Sequence, residues 1–340
     1  MNAKERIRKA IRFEETDIVP YHFDFTVPAY EKLADYYKDR DFIKKIGNHL
    51  AIIEPKTKDA WREIKPGFFR DEFGVVWDRT IDKDIGTVVG TVLKKPALEG
   101  YIFPDPDKKE RFAGYENFIK GNADKFVLNE IGFSLFERAW TLRGMENLLM
   151  DMVINPGFVE ELLDRIIDWN LAIIDQAAQY DLDGCRFGDD WGQQQGLIMG
   201  PKLWRKFLKP RLARMYEKVR EKRLSVFIHS CGDVREIFPD LIEIGVNVFN
   251  PFQPEVMDVY EMKKKYGREL CFYGGLSTQR TLPYGSPLDV KEEAYRLMKE
   301  IGQGGGYILS PAHAVPKDVP RENLLALIEV VQEQMDDKIT

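Results

Sequence analysis

The chain is poor in cysteine. Its 340 residues hold three, Cys185, Cys231 and Cys271. They are too few and too widely spaced for a disulfide framework, so they are expected as reduced thiols of a cytoplasmic protein. Histidine is nearly as scarce: His22, His49, His229 and His313. No apolar run approaches the roughly 18 residues of a membrane span. The N-terminal stretch Met1 to Ala10 alternates charge in an amphipathic helical pattern and lacks the apolar segment of a secretory signal. An excess of basic charge is also missing. There are 50 Lys and Arg against 56 Asp and Glu, a net charge of −6, which argues against nucleic acid or an anionic membrane as partner. A phosphate-binding loop is absent too: Gly304-Gly305-Gly306 leads into an apolar run rather than a helix opened by Lys or Ser.

What is present is a rhythm. Hydrophobic residues make up 44% and charged residues 31%, a composition suited to a large buried core. Eight short apolar runs recur: 19–25, 49–54, 125–132, 184–190, 225–231, 246–252, 269–275 and 306–313. Between the later ones lie helical patterns over 201–220, 233–244 and 287–301, the first with Leu203, Phe207, Leu208, Leu212, Met215 and Val219 at helical spacing. Near-continuous apolar strands alternating with helices mean a parallel sheet. Eight of them predict an α/β fold, a (β/α)8 TIM barrel, as one domain over residues 1–340. Residues 57–120 break the rhythm. Runs 72–78 and 86–93 are expected as a β-hairpin inserted after the second strand, followed by a helix near 108–120. The insertion would either shape the pocket over the barrel mouth or be decorative.

Active sites of such barrels lie at the C-terminal ends of the strands. The run ends here are polar. The fifth ends His229-Ser230-Cys231-Gly232, and the two-residue period of a strand puts His229 and Cys231 on one face. Taken alone, the pair fits a packed thiol and a hydrogen-bonded imidazole better than a metal site. Barrel closure brings the end of the eighth run within reach, and His313 becomes the third ligand of a zinc site with an open position. Asp189, Asp190, Gln253 and Glu255 are candidates for a fourth ligand or for support of the first three. Of Asp189 and Asp190 only one can face the barrel, and it is a candidate for acid-base catalysis or substrate anchoring. His22 and Asp24, sharing a face of the first run, are candidates for substrate binding, the metal set or the interior packing. Asn250, Gln253, Tyr273 and Gly274 complete the candidate substrate-binding set, with Gly274-Gly275 open to close backbone approach or to a tight turn.

Several segments together resemble the uroporphyrinogen decarboxylase superfamily. They are Arg12-Phe-Glu-Glu-Thr-Asp-Ile-Val-Pro20, Asp71-Glu-Phe-Gly-Val-Val-Trp77, Gly200-Pro-Lys-Leu-Trp-Arg205, Ile228-His-Ser-Cys-Gly-Asp233, Phe272-Tyr-Gly-Gly275 and Ser310-Pro-Ala-His313. The decarboxylases themselves carry an Arg-Gln-Ala-Gly-Arg run after the first strand. Here that place reads Phe25-Thr-Val-Pro-Ala29, without the guanidinium groups that several substrate carboxylates call for. The zinc-dependent methyltransferases of corrinoid systems are similar at His-x-Cys-Gly, where His229 and Cys231 correspond to zinc ligands. Their usual third ligand is a cysteine, and His313 stands there instead. The resemblance implies zinc as bound metal and methylcobalamin or another corrinoid as co-substrate, carried by a corrinoid-binding protein. The small-molecule partner would be a thiol or an O- or N-methyl compound. Two alternatives are a decarboxylase acting on a porphyrinogen or other carboxylated substrate, and a barrel that binds a tetrapyrrole or corrinoid without catalysis.

Overall fold

The apolar runs become parallel strands in the computed structural model, which describes residues 1–336. Seven regular strands form one curled sheet: β1 (Leu50–Ile53), β2 (Phe126–Ile131), β3 (Gly184–Gly188), β4 (Ser225–His229), β5 (Val248–Phe252), β6 (Cys271–Leu276) and β7 (Tyr307–Pro311). Each pairs in parallel with the next in sequence, giving a TIM-barrel-like architecture with helices outside. All but β6 lie within one of the expected runs with the ends trimmed, and β6 passes the end of its run by one residue, to Leu276.

The first run, 19–25, closes the sheet without forming a regular strand. On one side Leu309 N–H donates to Pro20 O (2.8 Å) and His22 N–H to Leu309 O (3.1 Å); on the other, His49 N–H donates to Tyr21 O (3.0 Å). Pro20 has no N–H to give. Tyr21 N–H goes to His49 Nδ1 and Phe23 N–H to Asn48 Oδ1, so side chains of the neighbouring segment replace a main-chain ladder.

The barrel interior is two-layered. Leu50, Phe126, Leu128, Phe227, Val248, Cys271 and Ile308 fill the lower layer, and the helix Ala3–Ile11 plugs its floor with Ile7. Asn2 and Glu5 form a capping box at the start of that helix, which fixes where it begins. Two residues further along the same strand faces the side chains turn polar: Glu130, Arg186, His229, Asn250, Tyr273 and Ser310. A second and larger apolar cluster lies between the sheet and helices such as Pro156–Ala177 and Lys209–Glu221.

The insertion after β1 is larger than a hairpin. Strands 61–65, 68–71, 76–78 and 87–88 form a four-stranded antiparallel sheet. The expected strand 72–78 is cut short because Asp71 accepts the N–H groups of Phe73 and Val75 and turns the chain. The expected strand 86–93 pairs only over Thr87–Val88, and Val92 and Leu93 donate to Leu142 O instead. The helix expected near 108–120 divides into a 3-10 turn at Lys109–Phe112 and a helix at Tyr115–Gly121. No helix among the described residues is long and apolar enough to cross a membrane.

Candidate metal centre at the barrel mouth

At the tip of β4 the chain carries two candidate ligands and turns sharply. Gly232 makes the turn possible: its φ is +87°, and a Cβ there would lie 2.3 Å from the Gly192 carbonyl carbon. Gln253 Oε1 accepts the Gly232 N–H at 3.1 Å, and Ser230 Oγ accepts the Trp191 N–H at 3.0 Å, so the loops after β3 and β5 brace the turn.

The turn presents His229 and Cys231 side by side, with Sγ 3.4 Å from His229 Nε2. His313, just beyond β7, completes the group. One donor atom from each of the three lies within 4.8 Å of the others, and the His229 and His313 ring centroids are 5.6 Å apart. The residues fit zinc. Bonds of about 2.3 Å to sulfur and about 2.1 Å to nitrogen at a tetrahedral angle leave an S···N edge of roughly 3.5 Å. His229 is also oriented for the role. Its Nδ1 donates to Asn250 Oδ1 at 2.5 Å, and Asn250 is itself fixed because its Nδ2 donates to Tyr273 O, which leaves His229 Nε2 free for a metal. Burial first, with a contribution from Arg186 and His313 against the opposing pull of Asp190, lowers the His229 pKa to about 4, so its ring is neutral as a ligand must be. Burial together with Asp190 and Glu137 pushes the Cys231 thiol far above its ordinary range; a bound cation would act against that. His313 is exposed, so the centre opens to the mouth.

The candidate acids divide. Asp189 is fully buried and accepts N–H groups from Leu135, Phe136 and Glu137 and from Trp191 Nε1. It caps the helix Phe136–Arg143. Burial raises its pKa to about 6 in spite of those donors. Asp190 turns the other way and accepts the Cys231 N–H at 2.7 Å. Glu137 stands against Asp190; burial, then Asp190 and Asp189, push its carboxyl well above the usual carboxylate range. Glu137 has no signal in the sequence, being one more acid in a helical first turn. Arg186, within an apolar run, was missed as well. It pairs with Glu130 at 3.1 Å and stands 3.5 Å from His229 Nδ1 and 3.4 Å from Asn250 Oδ1.

His22 Nε2 meets Asp24 Oδ1 at 3.0 Å, and its ring stands edge-on to Tyr273 with centroids 6.1 Å apart. Glu255 lies apart from the trio, accepting from Ser277 Oγ and Gln279 N. Gly274 serves strand packing, since a Cβ there would lie 2.6 Å from Phe252 N.

A barrel whose polar upper layer gathers histidine, cysteine and carboxylate at one mouth is the architecture of an enzyme. The profile of the uroporphyrinogen decarboxylase family (URO-D) matches residues 133–334, well over half of the chain. The chain belongs to that family. Among curated proteins it is 24% identical over 251 residues to the uroporphyrinogen decarboxylase of Chlorobaculum parvum, covering 68% of this chain and 67% of that protein. It is 25% identical over 248 residues to that of Chlorobaculum tepidum, with the same shares covered. Among solved structures, a methyltransferase from Methanosarcina mazei shares the fold, with a TM-score of 0.76 over 98% of this chain and 99% of that one at 18% identity.

Proposed function

We propose that the protein is a zinc-dependent methyltransferase of a corrinoid-linked demethylation system. It would move a methyl group between a corrinoid carried by a separate binding protein and a small thiol or an O- or N-methyl substrate. The observation that carries this reading is the convergence of His229, Cys231 and His313 donor atoms within 4.8 Å at an open barrel mouth. Zinc held there would supply a Lewis acid that activates a bound thiol or heteroatom near neutral pH. The remaining work falls to the chain itself. Asn250 holds the His229 ring in place, and Asp190 fixes the Cys231 backbone. Glu137, whose carboxyl is pushed well above the usual carboxylate range by burial and its neighbouring carboxylates, is the candidate proton donor beside Asp190. The name of the Methanosarcina structure agrees with this reading.

Elemental analysis of protein purified without added metal tests it. About one zinc per chain, lost in Cys231→Ser, is expected; less than about 0.5 per chain, unchanged by that substitution, sinks the metal site. The names of the curated relatives favour a second reading, decarboxylation of a porphyrinogen or another carboxylated substrate. Formation of coproporphyrinogen from uroporphyrinogen by the metal-free protein decides for it.

A further inference from the structure

A cavity of about 370 Å³ lies between the insertion and the barrel, outside the metal group. That is the small end of the range for ligand pockets, room for one or two rings rather than a tetrapyrrole. Its aromatic walls are Trp61, Phe73, Phe133 and Trp169. Glu130 lines it as well, and Glu130 pairs with Arg186, which stands beside His229. The cavity therefore borders the polar layer of the barrel.

Its charges decide what it takes. Each lining acid is already engaged: Glu54 with Lys56, Asp71 with Arg138, Glu72 with Arg111, Glu130 with Arg186, and Asp84 with the Val27 N–H. Arg79 differs. Among the described residues it makes no ion pair, although the carboxylates of Asp82 and Asp84 lie near enough to act on it; its Nε donates to Ile85 O, and its guanidinium lies over the Trp61 ring at 4.0 Å. The aromatic faces that would receive a cationic ligand already carry cations. Arg79 covers Trp61, Arg138 stands 4.1 Å from the Phe73 centroid and 5.6 Å from that of Phe133, and Arg111 stands 5.2 Å from that of Trp169. An ammonium ligand would meet guanidinium groups where an aromatic cage needs bare rings. A planar anion meets the opposite: the Arg79 guanidinium, without an ion pair among the described residues, in an aromatic-lined cavity whose lining also includes Lys56 beside Glu54.

We infer that this cavity is the substrate pocket and takes a one-ring aromatic carboxylate, its carboxylate on Arg79 and its ring among Trp61, Phe133 and Trp169. This deepens the methyl-transfer reading by naming the substrate class, but the binding itself does not depend on zinc. Titrating the full chain with benzoate, methyl benzoate and benzylamine, followed by tryptophan fluorescence, tests it. Saturable benzoate binding is expected, with the ester and the amine at least tenfold weaker. Arg79→Gln should weaken benzoate at least tenfold and Arg79→Lys less; Lys56→Gln serves as the second variant should Arg79→Gln fail to fold. Absence of saturable benzoate binding, equal binding of ester or amine, or indifference to the variants overturns the proposal. The readout is binding, so a protein that proves to hold no zinc sinks the metal site and leaves this result standing.

Discussion

At the scale of single residues, the proposed metal site depends on how His229 is oriented. His229 has one ring nitrogen tied to Asn250 and the other turned to Cys231. Removing a hydrogen-bond partner of a metal-bound histidine typically weakens metal affinity about 10- to 100-fold. Asn250→Ala should therefore keep zinc in the purified protein yet lose it to a chelator at a concentration about 10- to 100-fold lower; equal retention would show that Asn250 does not orient the ring. That His229, Cys231 and His313 gather was legible in the sequence because each sits at the end of an apolar run and barrel closure brings those ends together. Arg186 and Glu137 were not. A strand of the interior layer reads as apolar although one of its side chains is charged, and an acid in a helix's first turn looks like any solvated residue. Of the adjacent pair Asp189 and Asp190, the sequence showed that the two must face apart but not which would be taken by the helix beneath.

At the scale of elements, the barrel strands could be read because burial on both faces leaves an unbroken apolar run. The insertion could not, since four of the five residues of strand 61–65 are exposed and carry no alternation to follow. The closing segment 20–25 depends on His49, whose Nδ1 accepts the Tyr21 N–H and whose Nε2 lies 3.3 Å from Arg6. Burial first, then Arg6 and His22, lowers its pKa from 6.5 to about 3. The ring is neutral when folded and would charge when unfolded. Its contribution is full above about pH 6.5 and is lost as pH falls toward about 3, at most roughly 4 to 5 kcal/mol. His49→Gln should flatten the acid limb of stability in that window, measured by urea unfolding between about pH 7 and pH 4; an unchanged slope would assign the acid sensitivity to other groups.

At the scale of the molecule, the barrel and its insertion differ in how much they bury. The interior and outer apolar clusters draw on every barrel strand, whereas the insertion's strands are short and only 76–78, through Trp77, puts a buried residue into those clusters. Backbone amides of strands 61–65 and 87–88 should exchange hydrogen several orders of magnitude faster than those of β2 to β6, because the insertion can open without the barrel. If the inferred cavity ligand binds, protection in 61–79 should rise, since Trp61 and Arg79 are its walls.

The pairing of residues 20–22 with Leu309 joins the beginning of the chain to its last barrel strand. During synthesis that seam has to wait until Leu309 has emerged, about 290 residues after its partners at 20–22, since contacts between distant segments form late. His22 and Asp24 lie on one side of the seam and His313 just past the other. The group of His229, Cys231 and His313 therefore cannot come together before that late seam can form.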